Sequence, residues 1–187
     1  MMDLFDMPGE ERPASDTLRP LADRLRPRLL ADVIGQRQIL GPEAPLTVML
    51  KANALGSIIL WGPPGVGKTT IARLLAEETH LKFVQISAIF SGVPELRKVF
   101  QAAQNRRDNG QGTLLFVDEI HRFNKAQQDS FLPLMEDGTL VLVGATTENP
   151  SFELNAAVLS RAQVLVLERL SDDELKLLAQ RAETEVP

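Results

Sequence analysis

Five short apolar runs, at 57–61, 83–86, 113–117, 140–143 and 164–167, recur along the chain with helix-period segments between them. The first, Ser57-Ile58-Ile59-Leu60-Trp61, and the third, Thr113-Leu114-Leu115-Phe116-Val117, are nearly unbroken in large apolar residues, which suits strands covered on both faces rather than one. Helical patterns fill the gaps at 68–79, at 94–108 with Pro94 near the first turn, at about 124–136 and at 152–161. Strands that alternate with helices of this length predict parallel strands joined by crossovers. The expected fold class is therefore α/β, a three-layer core around a five-stranded parallel sheet. Upstream, 20–56 is punctuated by Pro20, Pro27, Gly35, Gly41, Pro42 and Pro45 and reads as loop and short helices. Downstream, Ser171-Asp172-Asp173-Glu174 has the S-x-x-E spacing of a capping box and opens a last helix. Residues 1–18, rich in Asp, Glu, Pro and Met without a usable period, are expected to form a disordered arm, in which Leu4-Phe5 is a candidate docking motif. No internal repeat interrupts this order.

The turn between the first run and its helix carries the most specific chemistry. Gly62-Pro63-Pro64-Gly65-Val66-Gly67-Lys68-Thr69 fits G-x-x-x-x-G-K-[ST], and Thr70 follows in the first helical turn. In such a loop successive backbone amides converge on one anion at a helix N-terminus, and glycine removes Cβ atoms that would block the phosphates. Lys68 supplies a mobile positive charge for the β and γ phosphates, and the Thr69 hydroxyl is placed to ligate Mg²⁺. The pattern predicts binding of a nucleoside triphosphate, ATP, with Mg²⁺.

Fifty residues past Lys68, the run Leu114-Leu115-Phe116-Val117 ends in Asp118-Glu119. A buried strand on the ribbon neighbouring the phosphate loop would carry Asp118 to the metal, while Glu119, pointing the other way by strand alternation, would polarise a water for in-line attack on the γ phosphate. The next run leaves its strand through Thr146-Thr147-Glu148-Asn149-Pro150. Thr147 or Thr146, with Asn149 as the alternate, can hydrogen-bond the γ phosphate or the attacking water, and a Thr/Asn/Pro turn is the competing reading. Arg161, in Leu159-Ser160-Arg161-Ala162, ends a helix just before the last run. It can reach into a neighbouring subunit to stabilise charge on the γ phosphate, or serve as a dipole partner for its own helix end.

Composition narrows the setting. The 187 residues, 44% hydrophobic and 24% charged, suffice for one well-buried domain. No run approaches the ~20 apolar residues of a membrane span, and the chain has no cysteine, so disulfides and thiolate sites are excluded and the cytoplasm is the expected compartment. Two widely separated histidines, His80 and His121, do not make a zinc site. A net charge of −5 restricts any contact with nucleic acid to local basic clusters such as Arg24, Arg26 and Arg28.

Taken together, Gly62 to Thr69, the pair Asp118-Glu119, Thr146-Thr147 and Ser160-Arg161 resemble the Walker A, Walker B, sensor 1 and trans-acting arginine finger of the AAA+ ATPases, in the clamp-loader-related branch. The stretches Asp118 to Lys125, Glu136 to Thr139 and Gly144 to Asn155 resemble the RarA/MgsA family and its Werner-interacting relatives, over about residues 18–180. Arg26-Pro27 and Val33-Ile34-Gly35-Gln36 are similar to the segment that lies against the adenine base in that family, which nominates Val33 and Ile34. The resemblance implies a DNA-dependent ATPase of replication, recombination and repair, nucleoid-associated, acting as a homo-oligomer at stalled forks, gaps or duplex ends. Single-strand-binding protein and the sliding clamp are the partners it suggests. It divides the chain into an ATPase core over 19–168 and, over 169–187, the start of a helical lid whose remainder, with its sensor 2 residue, falls outside the sequence. A piece of that kind is expected to be mainly monomeric and slow to turn over ATP. Rival readings stay open: a clamp-loader subunit or branch-migration motor within the same branch, a small-molecule kinase, and a nucleotide-gated binding module.

Overall fold

The computed structural model describes residues 20–185, so the arm expected over 1–18 lies outside the described residues. Among those described, β1 (Ser57–Trp61), β2 (Lys82–Ser87), β3 (Thr113–Asp118), β4 (Leu140–Thr146) and β5 (Ala162–Val166) form one sheet in the order β2-β3-β4-β1-β5. Every pairing is parallel. The strand runs alternate between two cores because successive side chains point to opposite faces. Ile58, Leu60, Leu114, Phe116, Val143 and Ala145 pack on one face with Ile71 and Leu75 of α4 (Lys68–Glu78). Ile59, Leu115, Val117 and Leu142 pack on the other with Leu96 of α5 (Val93–Asp108) and with Phe131 and Leu134. This is the expected three-layer α/β architecture around a five-stranded parallel sheet.

The sheet order corrects one expectation. The acid-bearing β3 does not neighbour the loop-bearing β1; β4 lies between them, pairing Ile58 with Val143 on one side and Phe116 with Val143 on the other. Two strand spacings, about 10 Å, therefore separate the ribbons that hold the two motifs. The chain leaves β1 toward β2 and leaves β4 toward β5, so the strand order reverses between β1 and β4. At such a switch point the crossovers diverge and leave a crevice at the carboxyl edge, where ligands bind in open α/β sheets.

Other boundaries shift for local reasons. The helix expected over 124–136 is two, α6 (Lys125–Asp129) and α7 (Leu132–Glu136). Pro133 lacks the N–H that would bond the Asp129 carbonyl, and its ring crowds that carbonyl, so one helix cannot run through. The helix expected over 152–161 is likewise two, α8 (Pro150–Glu153) and α9 (Ala156–Leu159), divided at extended Leu154. Each has its own asparagine cap, Asn149 accepting from the Ser151 N–H and Asn155 from the Val158 N–H. Strand β4 continues through Gly144 to Thr146, paired with Ile59, Leu60 and Trp61 of β1, and glycine stands at 144 because a side chain there would have no room. A Cβ there would lie 2.8 Å from Ile59 Cδ1 and 2.9 Å from Ile120 Cδ1. Upstream of β1 stand α1 (Leu21–Arg24), α2 (Arg37–Leu40) and α3 (Pro45–Lys51), and after β5 comes α10 (Asp172–Glu185).

Candidate nucleotide site

The loop 62–67 leaves β1 at the carboxyl edge and turns into α4, and its glycines answer to different constraints. Gly65 and Gly67 take φ of +78° and +96°, where residues with a Cβ are strained. At Gly62 the constraint is space: a Cβ would stand 2.4 Å from the Leu167 carbonyl oxygen, because the chain after β5 closes over the loop through the Leu167 N–H, which donates to the Trp61 carbonyl at 2.7 Å. The first glycine is thus required by the fold's own backbone rather than by clearance for a phosphate.

A cleft of about 510 Å³ opens over this loop and brings together Lys68, Thr69, Thr70, Asp118 and Glu119 with Pro64, Gly65 and Gly67. Lys68 is half-buried, and its Nζ donates to the carbonyls of Gly62 and Pro63, each at 2.8 Å. Burial lowers its pKa from the ordinary lysine range, and the carboxylates of Glu119 and Asp118 oppose that shift. The two acids do not part by strand alternation as expected. Strand β3 ends at Asp118, Glu119 takes the left-handed conformation at φ +53°, and both side chains line the same cleft. A left-handed residue without glycine's freedom marks backbone strain, which concentrates at functional sites. The hydroxyl of Thr69 and the carboxylate of Asp118 are the hard oxygen donors that Mg²⁺ takes. Among the described residues no cluster of three or more His, Cys, Asp and Glu side chains could hold a metal ion.

A second cavity of about 290 Å³ adjoins the loop on its other side, where Val33 and Ile34 meet Val66, Thr70, Leu170 and Leu178. Its lining is mainly apolar, as a stacked base requires. Val33 and Ile34 are held there by buried Gln36, whose Nε2 donates to the Glu168 carbonyl at 2.7 Å and whose Oε1 accepts from the Glu168 N–H at 3.1 Å. Arg26 lines both cavities. Sequence reading did not single out Leu170, Leu178 or His121 for this site. Leu170 and Leu178 reach it because the chain folds back at α10 (Asp172–Glu185), and no local pattern announces that.

At the end of β4, Thr146 is fully buried and Thr147 partly so. The Thr146 Oγ1 lies 2.9 Å from Nδ1 of His121, while Asn149 is occupied as the cap of α8. Arg161 sits away from the cleft. Because Ser57 pairs with Ala162 and Trp61 with Val166, Arg161 stands at the amino edge of the sheet, about 20 Å along the strands from Gly62 at ~3.3 Å per residue. Its guanidinium pairs with the Glu136 carboxylate at 2.6 Å and donates to the Ala157 carbonyl at 2.9 Å. It therefore does serve its own helix end, yet it cannot reach its own cleft.

A phosphate loop, an acidic strand end and a parallel sheet in this order define a P-loop nucleoside triphosphatase core. The sequence matches the profile of the ATPase family associated with various cellular activities (AAA) over residues 58–170, and the chain belongs to that family. Within it the chain is 50% identical over 169 residues to Replication-associated recombination protein A of Escherichia coli, which covers 90% of this chain and 38% of that protein. It is 45% identical over 162 residues to the ATPase WRNIP1 of Dictyostelium discoideum, covering 87% of this chain and 18% of that one. These matches set it with the RarA group. The chain spans about 38% of the length of the bacterial relatives. Among solved structures it superposes on the RuvB Holliday junction branch migration motor of Thermotoga maritima with a TM-score of 0.69 at 29% identity, covering 86% of this chain and 54% of that one.

Proposed function

We propose that the chain binds ATP with Mg²⁺ and hydrolyses it as the ATPase core of a RarA-like protein that acts on DNA during replication-associated recombination and repair. The observation that carries this reading is the convergence of Lys68, Thr69, Asp118 and Glu119, from ribbons two strands apart, on one cleft beside an apolar slot. The amides of 62–67 and Lys68 grip the polyphosphate, and Val33, Ile34 and Val66 flank the base. Thr69 and Asp118 would hold Mg²⁺, which supplies charge neutralisation at the phosphates. Glu119 accepts the proton of the attacking water, and Thr147 orients that water or the γ phosphate. Arg161, displaced to the opposite edge of the sheet, completes the cleft of an adjacent protomer, so the active form is a homo-oligomer. Action at DNA forks, gaps or ends rests on the relatives named above. A cytoplasmic, nucleoid-associated setting fits that role, and no helix among the described residues is long and apolar enough to cross a membrane. The core over 19–168 and a lid that begins near 169 complete the proposed organisation.

The deciding experiment is phosphate release from ATP with no added acceptor, with and without forked DNA. The intact protein is expected to release phosphate, and Glu119→Gln is expected to slow release by about 10²-fold or more while nucleotide binding persists. Release that requires an added acceptor would point to a kinase. Release unchanged by Glu119→Gln would mean that Glu119 is not the catalytic base, and no release by the intact protein would leave a nucleotide-gated binding module.

A further inference from the structure

His121 lies between the two carboxyl ends that matter most for hydrolysis. Its side chain is 7% exposed, its Nδ1 is 3.3 Å from Glu119 Oε2, and the same Nδ1 is 2.9 Å from Thr146 Oγ1. The hydrogen bonds around Thr146 argue for a hydrogen on Nδ1. Thr146 Oγ1 accepts from the Glu148 N–H at 3.0 Å and lies 3.2 Å from the Glu148 carbonyl, to which its hydroxyl donates. A hydroxyl has one hydrogen to give, so toward His121 it accepts. If Thr146 donated to a bare Nδ1 instead, that lone pair would face the Glu119 carboxylate with no hydrogen between them, and the Glu148 carbonyl would lose its donor. With its hydrogen on Nδ1, His121 donates to Thr146 Oγ1 and holds the same nitrogen 3.3 Å from the Glu119 carboxylate.

The geometry points to His121 as a positioning residue for Glu119, one that fixes its carboxylate in the cleft by tying it to the last residue of β4. The tie continues to the phosphate loop, since the Thr146 carbonyl accepts from the Gly62 N–H at 3.1 Å. One line of polar contacts thus runs from β3 across β4 to the start of the loop on β1, the 3.3 Å approach of His121 to Glu119 followed by two hydrogen bonds. Glu119 needs such a holder. It follows the end of its strand in a left-handed conformation, its side chain is 28% exposed, and the positive charge of Lys68 is close enough to compete for it. His121 itself does not line the cleft, so its loss acts on the carboxylate rather than on nucleotide contacts.

This inference rests on the ATPase reading, with Glu119 as the base. The test is steady-state phosphate release and nucleotide affinity in the intact protein, with wild type and Glu119→Gln run alongside. His121→Ala is expected to lower kcat by about 10- to 100-fold, the usual result of misplacing a catalytic group by an ångström, with KM and nucleotide affinity within about twofold of wild type. His121→Asn puts an amide nitrogen where Nδ1 stood and is expected to recover most of the rate. Should the alanine variant fail to fold, the pair His121→Asn and His121→Gln decides, because glutamine places its nitrogen too far out and is expected to stay slow. A His121→Ala enzyme with wild-type kcat, or Asn and Gln variants equally impaired, would overturn the inference and leave the ATPase reading standing. A wild type that releases no phosphate, or that is unaffected by Glu119→Gln, would overturn both.

Discussion

The two edges of the sheet carry opposite kinds of functional side chain. At the carboxyl edge Lys68 is half-buried, its pKa drawn down by desolvation, and it is surrounded by the oxygens of its own loop and by Asp118 and Glu119. At the amino edge Arg161 has a side chain 39% exposed, and an ion pair with Glu136 holds it to the surface. One edge gathers its groups around a cleft; the other holds a surface cation about 20 Å along the strands from it. A lysine suits the first because it is a compact charge that tolerates partial burial, and an arginine suits the second because its fork can exchange one set of acceptors for another. The pairing of a nearly complete site with a displaced cation is what an assembly needs if hydrolysis is to depend on a neighbour.

The sharpest way to break this contrast is to remove the cation from each edge in turn. Lys68→Ala is expected to weaken nucleotide affinity by about 100-fold, roughly 2.7 kcal/mol, because Asp118 and Glu119 would then face the phosphates without the charge that offsets them. Calorimetric or fluorescent-nucleotide titration measures it, and affinity that survives the change would remove the basis for the whole site. Arg161→Ala is expected to leave that affinity intact and to lower kcat, by up to about 10³-fold where the arginine finger is in use. Mixing separates the two edges further. Glu119→Gln and Arg161→Ala proteins are each slow, but a mixture places an intact cleft beside an intact arginine at some junctions and is expected to regain part of the rate. No recovery on mixing would assign Arg161 to its own chain's helix end and nothing more.

Much of this was legible in the sequence, for identifiable reasons. The unbroken apolar runs of β1 and β3 announce strands buried on both faces, and the loop 62–69 carries its chemistry in its own spacing. The sheet order was not legible, because strand adjacency is decided by which crossovers fit, and nothing in Val117-Asp118-Glu119 says that β4 will stand between it and β1. The direction of Glu119 was missed for a related reason: alternation holds while φ and ψ stay extended, and the turn begins one residue too early. Asn149 illustrates a third limit. Its residue type suits a γ-phosphate contact as well as a helix cap, and the N–H of Ser151 settles its use in this fold. His121 stood within the stretch Asp118 to Lys125 that carries the family resemblance, but nothing there pointed to its place beside the base, since its partners, Glu119 and Thr146, meet only across the sheet.

The smallest expected effect lies at the far wall of the base slot, where α10 begins. The Glu174 N–H donates to Ser171 Oγ at 3.4 Å, and two bonds run to the Glu174 carboxylate, from the Ser171 N–H at 2.8 Å and from its Oγ at 2.9 Å, closing the capping box read from the sequence. These two bonds, the backbone one foremost, hold the Glu174 carboxyl below the usual glutamate range, with Arg37 adding to the effect. A carboxyl whose folded pKa is depressed stabilises the fold at pH above its unfolded value, and that contribution fades as pH falls through the folded value. Ser171→Ala is therefore expected to lower Tm by about 2 °C at neutral pH and by progressively less as acid protonates Glu174 in both proteins. Because Leu170 and Leu178, which flank this start of α10, line the base slot while neither cation does, the variant should change nucleotide affinity only slightly and kcat not at all. A loss of turnover as large as that of Arg161→Ala would mean that α10 takes part in the cleft's chemistry, and the contrast would then lie between three regions rather than two edges.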